Sequence, residues 1–545
     1  MNRRGAITRG AAIAIAIIVA VLVIGLAVYM SYFRAPAPKR PMKLVIARSD
    51  DADLLDPQRT VMGASWQVFL CIFDTYFVFD ENMNLQPHLV ESYEISPDGL
   101  VYTFHLRKGI KFHCGHPFDA YAVKYSIERC LSPELASPQA ADIEMIDHVE
   151  VVDDYTVKIY LKKPYPFLLQ LFTSAYHAPV CPNCTQVWGE KYGVDHVCGT
   201  GPFKFAEWVR DDYIRLVRNE EYNWAPPFTG WPGPPKIDEI IFKVIPEDTV
   251  RISELLTGGV DIVIGVPPHM VEELEKNPNV EVLVAPGHAV RFIGFNTARP
   301  PFNDTRVRLA VAYAIDREAI VKTVLHGLEQ PGYSPLPPTH GPWYNSLEDL
   351  APKYDPEKAA ELLEEAGWKL GPDGWRYKNG KKLEIVCVQA AAYETYTKIA
   401  VVVQEQLKKI GIDMKIEELD TESWQAALSS GEFDMTIIGY GWHLPDILVW
   451  LFADYQIPWP NFGRVNDTYL QDLLERGRST ADLNESIRLY HEAQKYIIVD
   501  KAYWVVISYP QNIQAVGKWV KNYELPPLFN SWVYLDVEVV EEEKP

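Results

Sequence analysis

Ser96-Pro97-Asp98-Gly99-Leu100-Val101-Tyr102-Thr103-Phe104-His105-Leu106-Arg107-Lys108-Gly109 reads as a turn feeding a strand. Pro97, Asp98 and Gly99 supply the fixed φ, the local acceptor and the permissive backbone of a turn. The alternation that follows is the period of a half-exposed strand. Outward from here the first half holds more strands. Lys43–Arg48 is short and apolar and leads into the loop Asp53-Leu-Leu-Asp-Pro57. Val151–Leu161 alternates as one strand, and the Pro- and Gly-rich stretch 226–235 precedes a strand at Ile240–Ile245.

The second half alternates helices with short apolar strands. Asp304 caps a helix with Val307, Ala310, Val311 and Ala314 on one face and Gly327 as terminator. Asp355-Pro356-Glu357 starts a helix that Gly367 ends. A helix at 400–409 stops at Gly411 before a strand at 413–417; a helix at 423–428 breaks at Gly431 before a strand at 433–439. Such alternation predicts α/β units.

With 545 residues the chain has room for about three domains at roughly 100–200 residues each. A formal charge of −21 repels phosphate backbones, which excludes nucleic acid as a partner. Arg3, Arg4 and Arg9 precede an uncharged run from Gly10 to Phe33, and Arg34, Lys39 and Arg40 follow it. As a helix the run would span about 36 Å at ~1.5 Å per residue, against a hydrocarbon core of about 30 Å. Residues 1–9 therefore read as a cytoplasmic basic stub, 10–33 as a transmembrane anchor or uncleaved signal, and 34–42 as a Pro-rich stalk.

Further stretches run nearly the length of the body: Leu55-Asp56-Pro57, Leu85-Gln86-Pro87-His88-Leu89, Gly199-Thr200-Gly201-Pro202-Phe203, Phe295-Asn296-Thr297, Ala312-Tyr313-Ala314-Ile315-Asp316-Arg317, Tyr354-Asp355-Pro356-Glu357-Lys358-Ala359 and Gly431-Glu432-Phe433-Asp434-Met435. In their order and spacing, together with Ser96–Gly109, they resemble the peptide/nickel class (family 5) of extracellular solute-binding proteins of ABC importers, of the oligopeptide- and dipeptide-binding type. The resemblance implies an α/β, two-lobed periplasmic-binding-protein-like clamp of three domains, here preceded by an N-terminal transmembrane helix. Residues 43–68, 198–288 and 503–545 would form a discontinuous first lobe, 69–197 an inserted second domain, and 289–502 the opposing lobe. No Gly-x-Ser-x-Gly, His-Glu-x-x-His or phosphate-loop motif points to catalysis, so the expectation is a receptor without cofactor, not an enzyme.

Aligned with the family on its glycines, Gly439-Tyr440-Gly441-Trp442-His443-Leu444-Pro445-Asp446 covers the loop whose first Asp binds the ligand amine in peptide-binding relatives. His443 takes that position and Asp446 the second acidic one. A neutral imidazole attracts an ammonium far less than a carboxylate does. The stretch that supplies an Arg for the ligand carboxylate in dipeptide binders reads Gln389-Ala390-Ala391-Ala392-Tyr393, with no cation. Two readings stay open: a peptide held mainly by its backbone with Asp446 in the amine role, or an oligosaccharide on Trp442, Trp424, Trp66 and Tyr440. Core packing is the competing role for each aromatic. Nickel-chelate binding is a third reading, through His443 or His113-Cys114-Gly115-His116, although the latter also fits a plain turn.

Cys71, Cys114, Cys130, Cys181, Cys184, Cys198 and Cys387 are an odd set. Cys181, Cys184, His196 and Cys198 have a spacing tolerable for structural zinc; a disulfide from Cys198 to Cys181 or Cys184 suits an extracellular protein and is the expectation, with no metal assigned. The partners expected are permease subunits and their ATPase, a peptide or oligosaccharide ligand, and the membrane through the N-terminal helix. The location expected is the cell surface, with a monomeric body outside.

Overall fold

The strand Lys43–Arg48 lies between two parallel neighbours, Glu239–Val244 and Ile262–Ile264. That central place explains its apolar run, with Leu44, Ile46 and Ala47 fully buried. It belongs to a seven-stranded sheet in the order Val280–Pro286, Gln511–Gly517, Ile262–Ile264, Lys43–Arg48, Glu239–Val244, Tyr213–Arg218, Phe203–Val209. The computed structural model describes residues 20, 21, 23, 41–526 and 531–545, and Lys43–Pro545 is one compact unit. The stub 1–9, most of the stalk, and the run 10–33 apart from Ala20, Val21 and Val23 lie outside the described residues. Among the described residues no helix is long and apolar enough to cross a membrane.

A six-stranded sheet follows the order Gln330–Pro331, Trp504–Tyr509, Ala289–Phe295, Met435–Gly441, Glu384–Ala390, Asp413–Leu419. Its last three strands run parallel, and the helices Glu394–Lys409 and Thr421–Ser430 make the crossovers that parallel pairing requires. Ile293, Val311, Leu363, Val403, Leu407, Met435 and Val505 form the core on this sheet. Asp355 caps Pro356–Glu365 by accepting from Lys358 N at 2.9 Å. Asp304 caps as expected, but the helix stops at Ala314; Asp316 caps a second one, Arg317–Thr323, and Gly327 closes that one.

The Ser96–Gly109 stretch sits in a four-stranded antiparallel sheet, Val90–Ile95, Val101–Leu106, Thr156–Leu161, Ile146–Asp153. Gly99 N donates to Ser96 O at 2.8 Å, and Tyr102, Phe104 and Leu106 are buried. Val151–Leu161, expected as one strand, is two: Asp153 Oδ1 accepts from Tyr155 N at 2.8 Å and turns the chain into a hairpin. The chain leaves for this region after the helix Gly63–Ile72 and returns at Gly199–Gly201, where Gly201 N donates to Ile72 O at 2.8 Å. A Cβ on Gly199 would lie 2.1 Å from that same carbonyl oxygen, so glycine alone fits the neck.

The two large sheets are joined where Gly287-His288 and Pro510 cross between them. Gly287 N donates to Pro510 O at 3.1 Å, binding the crossings together. The strand Trp504–Tyr509, grouped with the first lobe in the sequence reading, pairs with Ala289–Phe295 in the six-stranded sheet. The return crossing is therefore at Pro510, because a fully buried apolar strand carries no sign of which sheet it joins.

Candidate ligand cleft

Trp66 and Gln67 project from the helix Gly63–Ile72, whose opposite face buries Val68, Phe69 and Ile72. Ser65 Oγ and Thr60 Oγ1 both donate to Asp53 Oδ1 at 2.7 Å, which holds the start of that helix. Trp66 lines two cavities at the crossing of the sheets. One, of about 380 Å³, is lined from the seven-stranded sheet by Ile264–Val266 and Gln511–Gln514, and from the other side by Arg291 and Glu329. The second, of about 200 Å³, is lined by Trp66, Tyr176, His288, Gly441, Trp442 and His443 among others.

Arg291 and Glu329 were not singled out by sequence. Arg291 Nε donates to both Glu329 oxygens, at 3.0 and 3.1 Å, and its guanidinium lies 5.1 Å from the centre of the Tyr396 ring. Ser508 Oγ donates to Glu329 Oε2 at 2.6 Å. The register against Trp504–Tyr509 shifts between Arg291 and Phe292, a bulge of the kind that re-aims a side chain. The only sequence signal was an Arg at a half-buried position of an otherwise apolar strand.

Of the residues expected at the cleft, Trp66, Gly441, Trp442 and His443 line the smaller cavity together. His443 is half-buried, and its Nε2 is shielded without a hydrogen-bond partner. Burial, reinforced by nearby His177, lowers its pKa to about 4, so the ring is neutral. Tyr440, Trp424 and Asp446 line neither cavity. Tyr440 packs at a tilt on Trp459, 6.5 Å between ring centres. Trp424 is a core residue: its indole N–H donates to Thr436 Oγ1 at 3.3 Å and its ring meets Tyr393 edge-on. Asp446 is correspondingly withdrawn from the amine role. It is buried and accepts from Arg478 Nη2 at 2.9 Å, Tyr490 Oη at 2.9 Å and Tyr165 Oη at 3.1 Å, which leaves its carboxylate committed to the fold.

The expected disulfide is absent, since all seven cysteines are free. Cys181, Cys184 and Cys198 instead gather with Cys114. His196 stacks on Trp188 at 4.3 Å, outside that group. His113 is also excluded as a nickel ligand: its Nδ1 accepts from Gly199 N at 3.3 Å and its Nε2 meets Gly201 O at 2.9 Å, so both ring nitrogens are engaged.

Residues 84–454 match the family described as bacterial extracellular solute-binding proteins, family 5 Middle. The chain belongs to that family. The glutathione-binding protein GsiB of Salmonella paratyphi A is 29% identical over 520 residues, covering 92% of this chain and 95% of its own. The oligopeptide-binding protein AppA of Bacillus subtilis, solved with a nonapeptide, has a TM-score of 0.75 at 26% identity, over 92% of this chain and 100% of its own. DppA of Helicobacter pylori, an ABC transporter-associated periplasmic binding protein solved with the peptide STSA, has a TM-score of 0.74 at 29% identity, over 92% and 98%. As a family 5 solute-binding protein the chain is a non-enzymatic extracellular or periplasmic receptor that works with the permease and ATPase subunits of an ABC importer.

Proposed function

We propose that this family 5 receptor captures a peptide in the cleft lined by Trp66 and closes on it about Gly287-His288 and Pro510. The observation that carries the reading is the pair of cavities at the sheet crossing, of which the larger, about 380 Å³, falls in the range of small-molecule sites. Arg291 supplies the cation missing from Gln389–Tyr393. Glu329 engages one side of its guanidinium, and the fork has further N–H donors for a ligand carboxylate. The peptide-bound relatives support this ligand class. On this reading the first lobe is built on the seven-stranded sheet, the inserted domain on the four-stranded sheet, and the opposing lobe on the six-stranded sheet. The run 10–33 anchors a monomeric body to the outer face of the cytoplasmic membrane.

A second reading, an oligosaccharide, is favoured by one observation: Trp66 and Trp442 line the same cavity. Thermal-shift titration with glutathione, di- to nonapeptides and malto- and cello-oligosaccharides separates the two. A ligand at 100 times its Kd stabilises by about 2.7 kcal/mol. A response to sugars and none to peptides overturns the first reading. His443→Asp sharpens the test. A carboxylate here should raise affinity for peptides with a free N-terminal amine and leave N-acetylated ones unchanged.

A further inference from the structure

The sulfurs of Cys114, Cys181, Cys184 and Cys198 all lie within 4.8 Å of one another, with Cys114 Sγ and Cys181 Sγ 3.5 Å apart. A zinc ion with Zn–S bonds of about 2.3 Å holds tetrahedral sulfurs about 3.8 Å apart, so the four are spaced for one ion at their centre. We propose that these cysteines bind a single zinc ion as a structural tetrathiolate. None of the four cysteines lines either cavity of the ligand cleft.

Three separate segments supply the ligands. Cys114 is on a tight turn closed by Gly115 N donating to Phe112 O and Phe112 N donating to His116 O, both at 2.8 Å. Cys181 immediately precedes the helix Pro182–Trp188 and Cys184 lies within it, the Cys-x-x-Cys spacing of zinc knuckles. Cys198 leads directly into the Gly199–Gly201 neck. His113 N donates to Gly199 O at 2.8 Å, and the two side-chain contacts of His113 to the same segment fix the Cys114 turn against Cys198. Two ligands are thus positioned against each other by hydrogen bonds that do not involve their sulfurs.

The chemistry fits the burial. Cys181, Cys184 and Cys198 are buried and Cys114 is exposed, so three of the four sulfurs would shield the ion from solvent. His116 Nδ1 lies 3.3 Å from Cys114 Sγ, placed for an N–H···S hydrogen bond of the outer shell that orients a thiolate. On binding, four S–H bonds break, four Zn–S bonds form and four protons go to solvent; no oxidant is needed. Iron–sulfur clusters put several irons and sulfides between their cysteines and need wider spacing than this. The bound ion would staple the turn and the helix to the neck through which the chain re-enters the seven-stranded sheet.

The test is metal analysis of the full chain, folded with zinc present and purified without chelator. One zinc per chain is expected, lost in Cys184→Ser and Cys198→Ser and kept in the control Cys387→Ser. Cobalt(II) added to the metal-free, reduced wild-type chain should give the visible absorption of a tetrathiolate and saturate at one equivalent. That readout stands even where the serine variants fail to fold. Peptide mapping that finds these cysteines joined in disulfides, zinc content unchanged by Cys198→Ser, or iron in place of zinc each overturns the proposal.

Discussion

Arg291 and Glu329 form a largely buried pair on the six-stranded-sheet side of the cleft, Arg291 Nε reaching both carboxylate oxygens at 3.0 and 3.1 Å. Glu329 is further held by Ser508, so the carboxylate serves to aim the guanidinium. If Arg291 receives a ligand carboxylate, Arg291→Lys loses the planar fork while keeping the charge. Charge-assisted hydrogen bonds contribute about 1.5–3 kcal/mol, so peptide affinity should fall roughly ten- to a hundredfold. Calorimetry with C-terminally amidated peptides provides the check: the variant and the parent should then bind alike. An equal loss for both peptide forms would remove Arg291 from ligand recognition.

Gly287 and Pro510 are the two crossings between the large sheets, and a Cβ at 287 would lie 2.6 Å from Pro510 O. Gly287→Ala must therefore push the crossings apart. Overpacking of this kind costs about 1–3 kcal/mol, visible as a lower Tm. Because the strain falls on the hinge, small-angle scattering should also show a smaller change in radius of gyration on ligand addition. A variant that closes like the parent would mean that motion is absorbed elsewhere.

The pH profile follows from histidines shielded from solvent, His177 and His340 buried and His443 half-buried. Burial lowers His340 and His443 to about 4 each, against about 6.5 in an unfolded chain. Between those values the unfolded state binds more protons, so their contribution is complete above about pH 6.5 and is lost as pH falls toward 4. His177 goes the other way. Burial would lower it, but Asp142 at 3.3 Å and Cys130 outweigh that and raise it to about 9. Its contribution is complete below about 6.5 and lost as pH rises through 9. Each is worth at most about 3.5 kcal/mol, at about 1.4 kcal/mol per pKa unit. Denaturant midpoints against pH should peak near 6.5, with His443→Gln flattening the acid limb and His177→Gln the alkaline one. Limbs unchanged in both variants would rule out these groups as the cause.

What the sequence made legible was local. Asp98, Asp304 and Asp355 announce a turn and two helix starts because each acts on backbone groups within three residues. The order of family stretches carried the architecture for the same reason: each is a short element with its own punctuation. The cleft was harder. Arg291 and Glu329 are 38 residues apart and Cys114 and Cys181 are 67 apart, pairings set by the fold. Alignment on Gly439 and Gly441 put His443 and Asp446 in one loop but could not say which side chain turns inward. Asp446 lies at the start of the helix Ile447–Phe452, and its carboxylate meets Arg478, Tyr490 and Tyr165 away from the cavity.

That network yields the last prediction. Asp446 accepts from Arg478 and Tyr490 of the helices Thr468–Arg478 and Leu483–Lys495, and from Tyr165, which follows the strand Thr156–Leu161 of the four-stranded sheet. Phe167 adds edge-on contacts to Trp343 and Tyr490 at 5.4 Å. Asp446 thus joins two parts of the molecule and lines neither cavity of the cleft. Removing one partner of a buried ion pair costs about 3–5 kcal/mol, so Asp446→Ala should lower Tm strongly. Tyr165→Phe is the finer probe, because it deletes one hydrogen bond across the contact and leaves the Arg478 pair intact. A typical net loss of about 1 kcal/mol would fall on whichever state keeps the contact. If that is the closed state, peptide affinity should drop about fivefold by population shift, with the Arg291 dependence unchanged. If affinity is unaffected while Tm falls, the contact persists in both states and the moving boundary lies between the seven- and six-stranded sheets alone.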